Sequence, residues 1–210
     1  HLHCPACGTE TDASAGAVEV MEAARKTELV HTTLALGDTA SIDGAAWTLI
    51  GLMKCRASGE AEEWVEYLLF SEKAGFLWLV ESRAGWDKVR VLDSWPDSVS
   101  ASAVSLDGSV FTRMLAYGAE VTYAAGAFNW RVKVGDGVSI TDYRGSRGTL
   151  SSERSQAEIT WSLAQRVQAS TVDGWFGKGG RLAAASHGSA AVSAGVAIGE
   201  ESLRAKIGRA

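Results

Sequence analysis

Gly44-Ala45-Ala46-Trp47-Thr48-Leu49-Ile50, then Glu63-Trp64-Val65-Glu66-Tyr67-Leu68-Leu69-Phe70, then Phe76-Leu77-Trp78-Leu79-Val80-Glu81, is the stretch on which the fold turns. Side chains alternate across a strand, so Trp64, Glu66, Leu68 and Phe70 share one face, and Val65, Tyr67 and Leu69 the other. A strand apolar on both faces belongs inside a sandwich or between layers. Turn signals punctuate the stretch at Asp43-Gly44, Ser58-Gly59-Glu60, Lys73-Ala74-Gly75 and Ala84-Gly85. Short strands between closely spaced turns, with a further one over Lys88 to Leu92, predict an all-β meander.

A second block has similar wording: Gly126-Ala127-Phe128-Asn129-Trp130-Arg131-Val132, then Glu158-Ile159-Thr160-Trp161-Ser162-Leu163. Alternation predicts strands over 117–124, 129–134, 139–144 and 158–167, with Asp136-Gly137 as a tight turn. Arg144 to Ser155 is polar and reads as a loop. Asp93 to Ser105, which holds Pro96 and a run of Ser and Ala, reads as a linker. Both blocks run glycine turn, Trp strand, Glu-plus-Trp strand, which suggests one plan used twice.

The expected fold is mainly β: two related antiparallel β-meander or sandwich-like blocks, with short helices at the N- and C-terminal ends. The first helix is read over Val18 to Val30 from Val18, Met21 and Leu29. The second follows Ser170-Thr171-Val172-Asp173, which resembles a capping box, and runs through Phe176. The expected divisions are residues 1–30, a cysteine knuckle and linker; 31–95, the first block; 96–176, the second; and 177–210, a tail rich in Gly, Ala and Ser.

With 210 residues and 46% hydrophobic content, the chain has material for one sizeable core or two small ones. The net charge of −5 comes with scattered Lys and Arg and no basic stripe, which argues against a nucleic-acid partner. Three cysteines, Cys4, Cys7 and Cys55, are too few and too odd in number for a secreted disulfide framework, and cytoplasmic localisation is expected. No secretory leader pattern is visible. No stretch reaches the roughly 20 apolar residues of a membrane span. Leu182 to Ile198 comes nearest and is interrupted by Ser186, His187, Gly188, Ser189 and Ser193.

Cys4-Pro5-Ala6-Cys7-Gly8 has the form of a zinc knuckle: two thiolates two residues apart suit a tetrahedral soft site. A structural zinc needs four ligands, and Met21-Glu22-Ala23-Ala24 stands where a second pair would come. The knuckle therefore reads as half of a degenerate zinc ribbon. His1, His3 and His31, or zinc shared across a dimer, remain open as ways to complete it. Cys55 reads as a small buried hydrophobe.

Glu66, two residues from Trp64, and Glu158, three before Trp161, are the candidate acids. A carboxylate beside a large apolar ring acquires a raised pKa and a capacity for general acid catalysis. If the blocks face each other, so do these carboxylates; the competing reading makes each a sheet-edge group bonded to backbone or to an Arg. No Ser-His-Asp or Cys-His set can be assembled from His187 and the three N-terminal histidines. Gly177-Lys178-Gly179-Gly180 lacks the preceding strand and the ending of a phosphate loop. The tryptophans Trp47, Trp64, Trp78, Trp130 and Trp161 read as interior anchors in preference to a stacking platform for sugars.

Trp64-x-Glu66-Tyr67-x-Leu69 and Trp78-Leu79-Val80-Glu81 resemble the bacterial domain-of-unknown-function family 4178. So do Ala125-Gly126-Ala127-Phe128-x-Trp130-x-Val132-x-Val134-Gly135-Asp136, Asp142-Tyr143, Leu150-Ser151-Ser152-Glu153 and Glu158-Ile159-Thr160-Trp161-Ser162. The resemblance spans about Leu34 to Phe176. Relatives often carry a complete N-terminal zinc ribbon, from which this chain departs at Met21 and Ala24. It also has Ala127 where relatives often have Glu, and Gly145 after Arg144 where they tend to have Pro. The resemblance implies no known reaction. Its association with genes for membrane-stress coat proteins, small membrane proteins and polyamine-synthesis enzymes implies an accessory role near the inner face of the membrane. The expected function is thus a non-enzymatic cytosolic β-domain that binds a protein partner, in a membrane-associated complex and without a cofactor; the knuckle reads as vestigial, and a metal-dependent module with zinc at Cys4 and Cys7 is the reading it leaves open. The alternative is a small-molecule binder or hydrolase that uses Glu66 and Glu158 between the blocks.

Overall fold

The computed structural model describes Val30, residues 32–156 and 158–179, and the backbone of three short N-terminal strands. In chain order the strands are β1 (Leu2–His3), β2 (Glu10–Asp12), β3 (Glu19–Met21), β4 (Thr39–Ile42), β5 (Ala45–Ala57), β6 (Glu63–Ser71), β7 (Gly75–Ser82) and β8 (Gly85–Val91). There follow β9 (Ser98–Val99), β10 (Ala103–Leu106), β11 (Ser109–Ala127), β12 (Gly137–Gly145), β13 (Gly148–Arg154) and β14 (Ile159–Val167). One helix, α1 (Ala169–Phe176), completes the described residues, and no described helix is long and apolar enough to cross a membrane.

β5–β8 form one antiparallel meander and β11–β14 another. They meet twice, β8 against β14 and β5 against β11. The ring β5-β6-β7-β8-β14-β13-β12-β11 therefore closes into an eight-strand barrel in which every pairing is antiparallel. Two four-strand meanders of right-handed twist coil far enough for both pairs of outer strands to meet, and closure removes the edges that an open sandwich would leave.

Two irregularities shape the closing seam. Register shifts between Leu49 and Gly51 on β5, and between Val121 and Tyr123 on β11, change which face each strand presents. On β5, Trp47 and Leu49 face outward and Met53 and Cys55 inward. Across the seam Gly51 stands opposite Gly126. A Cβ on Gly51 would lie 2.5 Å from the Ala127 carbonyl oxygen, and one on Gly126 would overlap the Ile50 carbonyl oxygen.

The driest core lies outside the barrel. The outward faces of β5–β8 are covered by the segment before β4, by β4 and by α1, and Leu34, Tyr67, Leu69, Leu77 and Leu79 there are fully buried. Each such side chain contributes roughly 2 kcal/mol of transfer free energy. The polar atoms in this layer are satisfied: the Trp47 indole N–H donates to the Ile42 carbonyl at 3.2 Å, and the Tyr67 hydroxyl donates to Glu81 Oε2 at 2.7 Å. A second outer cluster, with Phe111, Tyr143, Leu150 and Trp161, lies under the β9–β10 arm.

Several sequence expectations are corrected. The blocks are not sandwich-like but halves of one closed barrel. The helix expected over Val18 to Val30 gives way at Glu19–Met21 to a strand paired with Glu10–Asp12, because its weak apolar stripe loses to edge pairing; the rest of that helix lies outside the described residues. Asp93 to Ser105 contains β9 and the start of β10. Arg144 to Ser155 is the end of β12, a tight turn and the whole of β13. Asn129 to Val134 is an irregular connection, and Trp130 stands 41% exposed on it. The C-terminal helix is present, but its first turn follows Gln168 and receives no side-chain cap, so Ser170-Thr171-Val172-Asp173 lies within it. Lys178, expected in a loose tail, pairs with Asp38 at 2.7 Å. Residues 180–210 lie outside the described residues.

Candidate functional site

The period of two that built the strands also selects what enters the lumen. On β6 the inward set is Trp64, Glu66, Leu68 and Phe70, and register places Glu66 between Met53 and Val80. On β13 the inward set includes Ser151 and Glu153, and Glu153 lies between Ile140 and Thr160. β6 and β13 are four places apart in the ring of eight, so Glu66 and Glu153 project from opposite walls. Asp142 on β12 and Tyr117 on β11 extend the polar set.

Two of these carboxylates are held. The Trp64 indole N–H donates to Glu66 Oε1 at 2.6 Å, and the Cys55 thiol hydrogen-bonds the same carboxylate. The Ser151 hydroxyl donates to Asp142 Oδ1 at 2.6 Å, and the Tyr117 hydroxyl also bonds Asp142. Glu153 has no hydrogen-bond or ion-pair partner among the described residues.

The electrostatics follow from enclosure. Burial pushes Glu66 above the usual carboxylate range against the pull of its two donors. Burial, followed by the charges of Glu66 and Asp142, pushes Glu153 up to about 7. Asp142 is raised by burial, with Ser151, Tyr117 and Arg144 opposing. Burial and the surrounding carboxylates raise the Tyr117 phenol and the Cys55 thiol as well, which disqualifies both as nucleophiles near neutral pH.

Glu66, Tyr117, Asp142, Ser151 and Glu153 are nonetheless only half-buried, whereas the outward Tyr67, Leu69 and Leu77 are sealed. The lumen thus keeps accessible surface at these polar groups, while Met53, Leu68, Trp78, Phe128, Val132 and Ile140 pack into a buried apolar cluster beside them. Eight-stranded barrels are wide enough to hold one small ligand.

The two ends differ. At the β6–β7 hairpin the lumen face continues into Phe70 and Phe76, whose rings lie 5.2 Å apart and stand in solvent. Trp130 folds over the inward Trp78 at 5.2 Å and meets Phe128 at 6.0 Å. Toward the β7–β8 hairpin, Arg166 pairs with Asp87 at 3.3 Å, and Arg144 adds a second cation near Asp87. One end is aromatic and the other carries arginine.

The structure separates the two sequence candidates. Glu66 lies in the lumen. Glu158 is exposed on the turn before β14, where its backbone N–H donates to the Ser155 hydroxyl at 3.1 Å. The acid facing Glu66 is instead Glu153, in the stretch read as a loop. The alternation of Thr149, Ser151 and Glu153 was its signal, visible as a strand only if one face meets a polar interior. Cys4 and Cys7 lie outside the described residues, and no three His, Cys, Asp or Glu side chains converge on a metal position among the described ones.

Residues 35–169, which span the whole barrel, match the family described as Domain of unknown function (DUF4178). The chain belongs to that family. No curated protein and no solved structure matches it. The family segment includes Glu66, Tyr117, Asp142 and Glu153, together with the aromatic end of the lumen.

Proposed function

We propose that the barrel binds a small molecule in its lumen without turning it over. The observation that carries this reading is a polar patch set in an otherwise apolar interior: Glu66, Asp142 and Glu153 face inward beside Met53, Leu68, Trp78 and Ile140 and stay partly accessible. An interior that served stability alone would be apolar, because an enclosed polar group without a partner costs about 1–3 kcal/mol. Binding is favoured over catalysis by a thiolate or phenolate, because Cys55 and Tyr117 are held protonated.

The test is a small-molecule library screened by thermal shift, with hits followed through the fluorescence of Trp64 and Trp78. Ligands that stabilise the protein, and lose that effect when Ser151→Phe occupies the accessible part of the lumen, support the reading. A set of hits indifferent to Ser151→Phe would overturn it.

A second reading, a docking domain for a protein partner in a membrane-stress or polyamine-linked system, draws on Trp95, Val99 and Val110, which stand 63%, 53% and 65% exposed. Crosslinking from a probe placed at Val110 tests it, with capture of one defined partner as the expected result. The free thiol of buried Cys55 fits a reducing cytoplasm. The ring order supports a duplicated origin, since exchanging the two meanders maps each junction, β5 with β11 and β8 with β14, onto itself. Under that exchange Trp64 on β6 corresponds to β12 and not to Trp161 on β14.

A further inference from the structure

We infer that the outer face of the barrel carries a second binding site, a hollow beside Trp95 that takes a pyranose sugar. This site is separate from the lumen and does not depend on the lumen-binding reading.

The hollow has a volume of about 470 Å3, within the roughly 300–1,000 Å3 of small-ligand sites, and is lined by Trp95, Arg154, Ser155, Gln156, Glu158 and Ile159. Alternation places it. On β13 Leu150, Ser152 and Arg154 face away from the lumen, and Arg154 pairs in register with Ile159 at the start of β14. The turn between them closes on itself: the Ser155 N–H donates to the Glu158 carbonyl at 3.0 Å, and the Glu158 N–H donates to the Ser155 hydroxyl at 3.1 Å. Those backbone groups are occupied, so the turn offers the hollow its side chains. Arg154, Gln156 and Glu158 have no side-chain hydrogen-bond or ion-pair partner among the described residues.

Trp95 is the independent observation. Its ring is 63% exposed, yet the connection that carries it is tied at both ends. The Leu92 N–H donates to the Trp161 carbonyl at 2.8 Å and the Asp97 N–H to the Ser105 carbonyl at 2.8 Å, and Pro96 fixes a backbone angle beside the ring. The Trp95 indole meets Trp161 edge to face at 6.4 Å. Trp161 is itself buried, and its indole N–H has no partner among the described residues. An aromatic face is thus held in solvent at the edge of a hollow with free polar groups, and an unanswered donor lies one ring away.

The chemistry selects the ligand. The hollow holds one cation and one anion, so neither a phosphate nor an amine is favoured. An apolar ligand would strip water from Arg154, Gln156 and Glu158 without replacing it. An extended peptide would pair with a free strand edge, and the backbone groups of this turn are engaged. A pyranose answers each feature. One side of its ring is a sheet of C–H bonds that lies on an indole face. Its hydroxyls donate to the Glu158 carboxylate and accept from the Arg154 guanidinium, and the Gln156 amide does either. Hydrogen bonds to the two charged groups are the stronger ones.

The experiment is titration of the isotope-labelled full chain with cellobiose and with maltose, read from the tryptophan indole N–H signals in nuclear magnetic resonance. Glycerol supplies hydroxyls without a ring face, and N-acetylglycine N-methylamide supplies peptide groups. At least one disaccharide should bind with a Kd on the order of 1–10 mM and shift the Trp95 and Trp161 signals, while glycerol and the peptide analogue shift neither. Trp95→Ala should weaken that binding at least about tenfold. Should Trp95→Ala disturb Trp161, Glu158→Gln on the exposed turn carries the test, with an expected loss of several fold. Failure of both disaccharides to shift these signals at about 100 mM overturns the inference. Binding that both variants leave intact overturns it too. Tighter binding of the peptide analogue overturns the sugar assignment and gives the hollow to the protein-docking reading. Shifts confined to Trp64 and Trp78 overturn this site and support the lumen instead.

Discussion

Glu66 and Glu153 face each other across the lumen from strands on opposite sides of the ring, and only Glu66 is hydrogen-bonded. The pair therefore ionises unequally. Glu66 takes its charge with help from the Trp64 indole and the Cys55 thiol; Glu153 does so later, against burial and against the charge of Glu66.

The consequence is a pH dependence of stability with a definite sign. The carboxyl of Glu153 is raised from an ordinary 4.5 to about 7, so between those values the native state holds a proton that the unfolded chain has released. Its contribution is fully present below 4.5 and is lost as pH rises through about 7. Glu66 and Asp142, also raised, act in the same direction. Glu153→Gln removes one of these groups. Denaturation between pH 4.5 and 8 should show the variant flatter than the parent, nearly equal to it at the acid end and more stable by on the order of 2 kcal/mol at pH 8. Parallel pH profiles would show that Glu153 is better solvated than its place in the wall implies.

Trp64→Phe isolates the donor to Glu66. The ring still fills its place beside Cys55, but the 2.6 Å hydrogen bond is gone. A hydrogen bond to a charged group contributes about 1.5–3 kcal/mol. The loss should be felt most where Glu66 is ionised, so denaturation at pH 8 should show a larger deficit than at pH 5. An equal deficit at both would mean that the indole matters only as volume.

How much of this was legible in the sequence follows from what each strand faces. β5–β8 could be read because they lie between an apolar outer layer and a lumen wall containing Trp64, Leu68 and Trp78, so the apolar signal is strong on both sides. β13 could not. Its inward Thr149, Ser151 and Glu153 meet a polar interior, its outward Ser152 and Arg154 are polar too, and only Leu150 is sealed. A strand wet on both faces looks like a loop until closure of the barrel is known. Closure itself depends on β8 meeting β14 and β5 meeting β11, pairings far apart in sequence that no local period encodes. Glu66 was found because it stands beside Trp64; Glu153 was missed because its partner lies across the barrel. The wording around Trp130 reads as an interior strand, but Asn129 to Val134 forms no strand, and the ring covers the inward Trp78 from the end of the barrel.

The outer layer makes a separate prediction. The Tyr67 hydroxyl accepts the Thr33 backbone N–H at 3.2 Å and donates to Glu81 at 2.7 Å, tying the segment before β4 to β6 and β7. Tyr67→Phe keeps the ring stacked on Trp86 but leaves the Thr33 N–H and Glu81 Oε2 without it, while the Thr33 hydroxyl still donates to Glu81 Oε1 at 2.6 Å. A cost of about 1–2 kcal/mol is expected in chemical denaturation, with faster amide exchange confined to residues 32–36. Lumen ligands should bind the variant unchanged, since Tyr67 faces away from the interior.

The seam between β5 and β11 provides the sharpest test of closure. Gly51 and Gly126 stand opposite each other, and the strands approach so closely that a Cβ on either meets backbone carbonyl oxygen. Gly126 also has φ +90, a conformation that side chains resist. Gly126→Ala therefore combines backbone strain with a clash that only separation of the strands relieves. Gly59 offers the control: its φ of +82 is similar, but a Cβ there would meet nothing. Gly59→Ala should cost about 1–2 kcal/mol from strain alone. Gly126→Ala should cost at least about 2 kcal/mol more, with exchange protection lost first at Leu52, Met53 and Lys54, because neither carbonyl can move without opening the ladder. If the two variants were equally stable, the seam would be loose, and the eight strands would behave as an open sheet whose carboxylates face water.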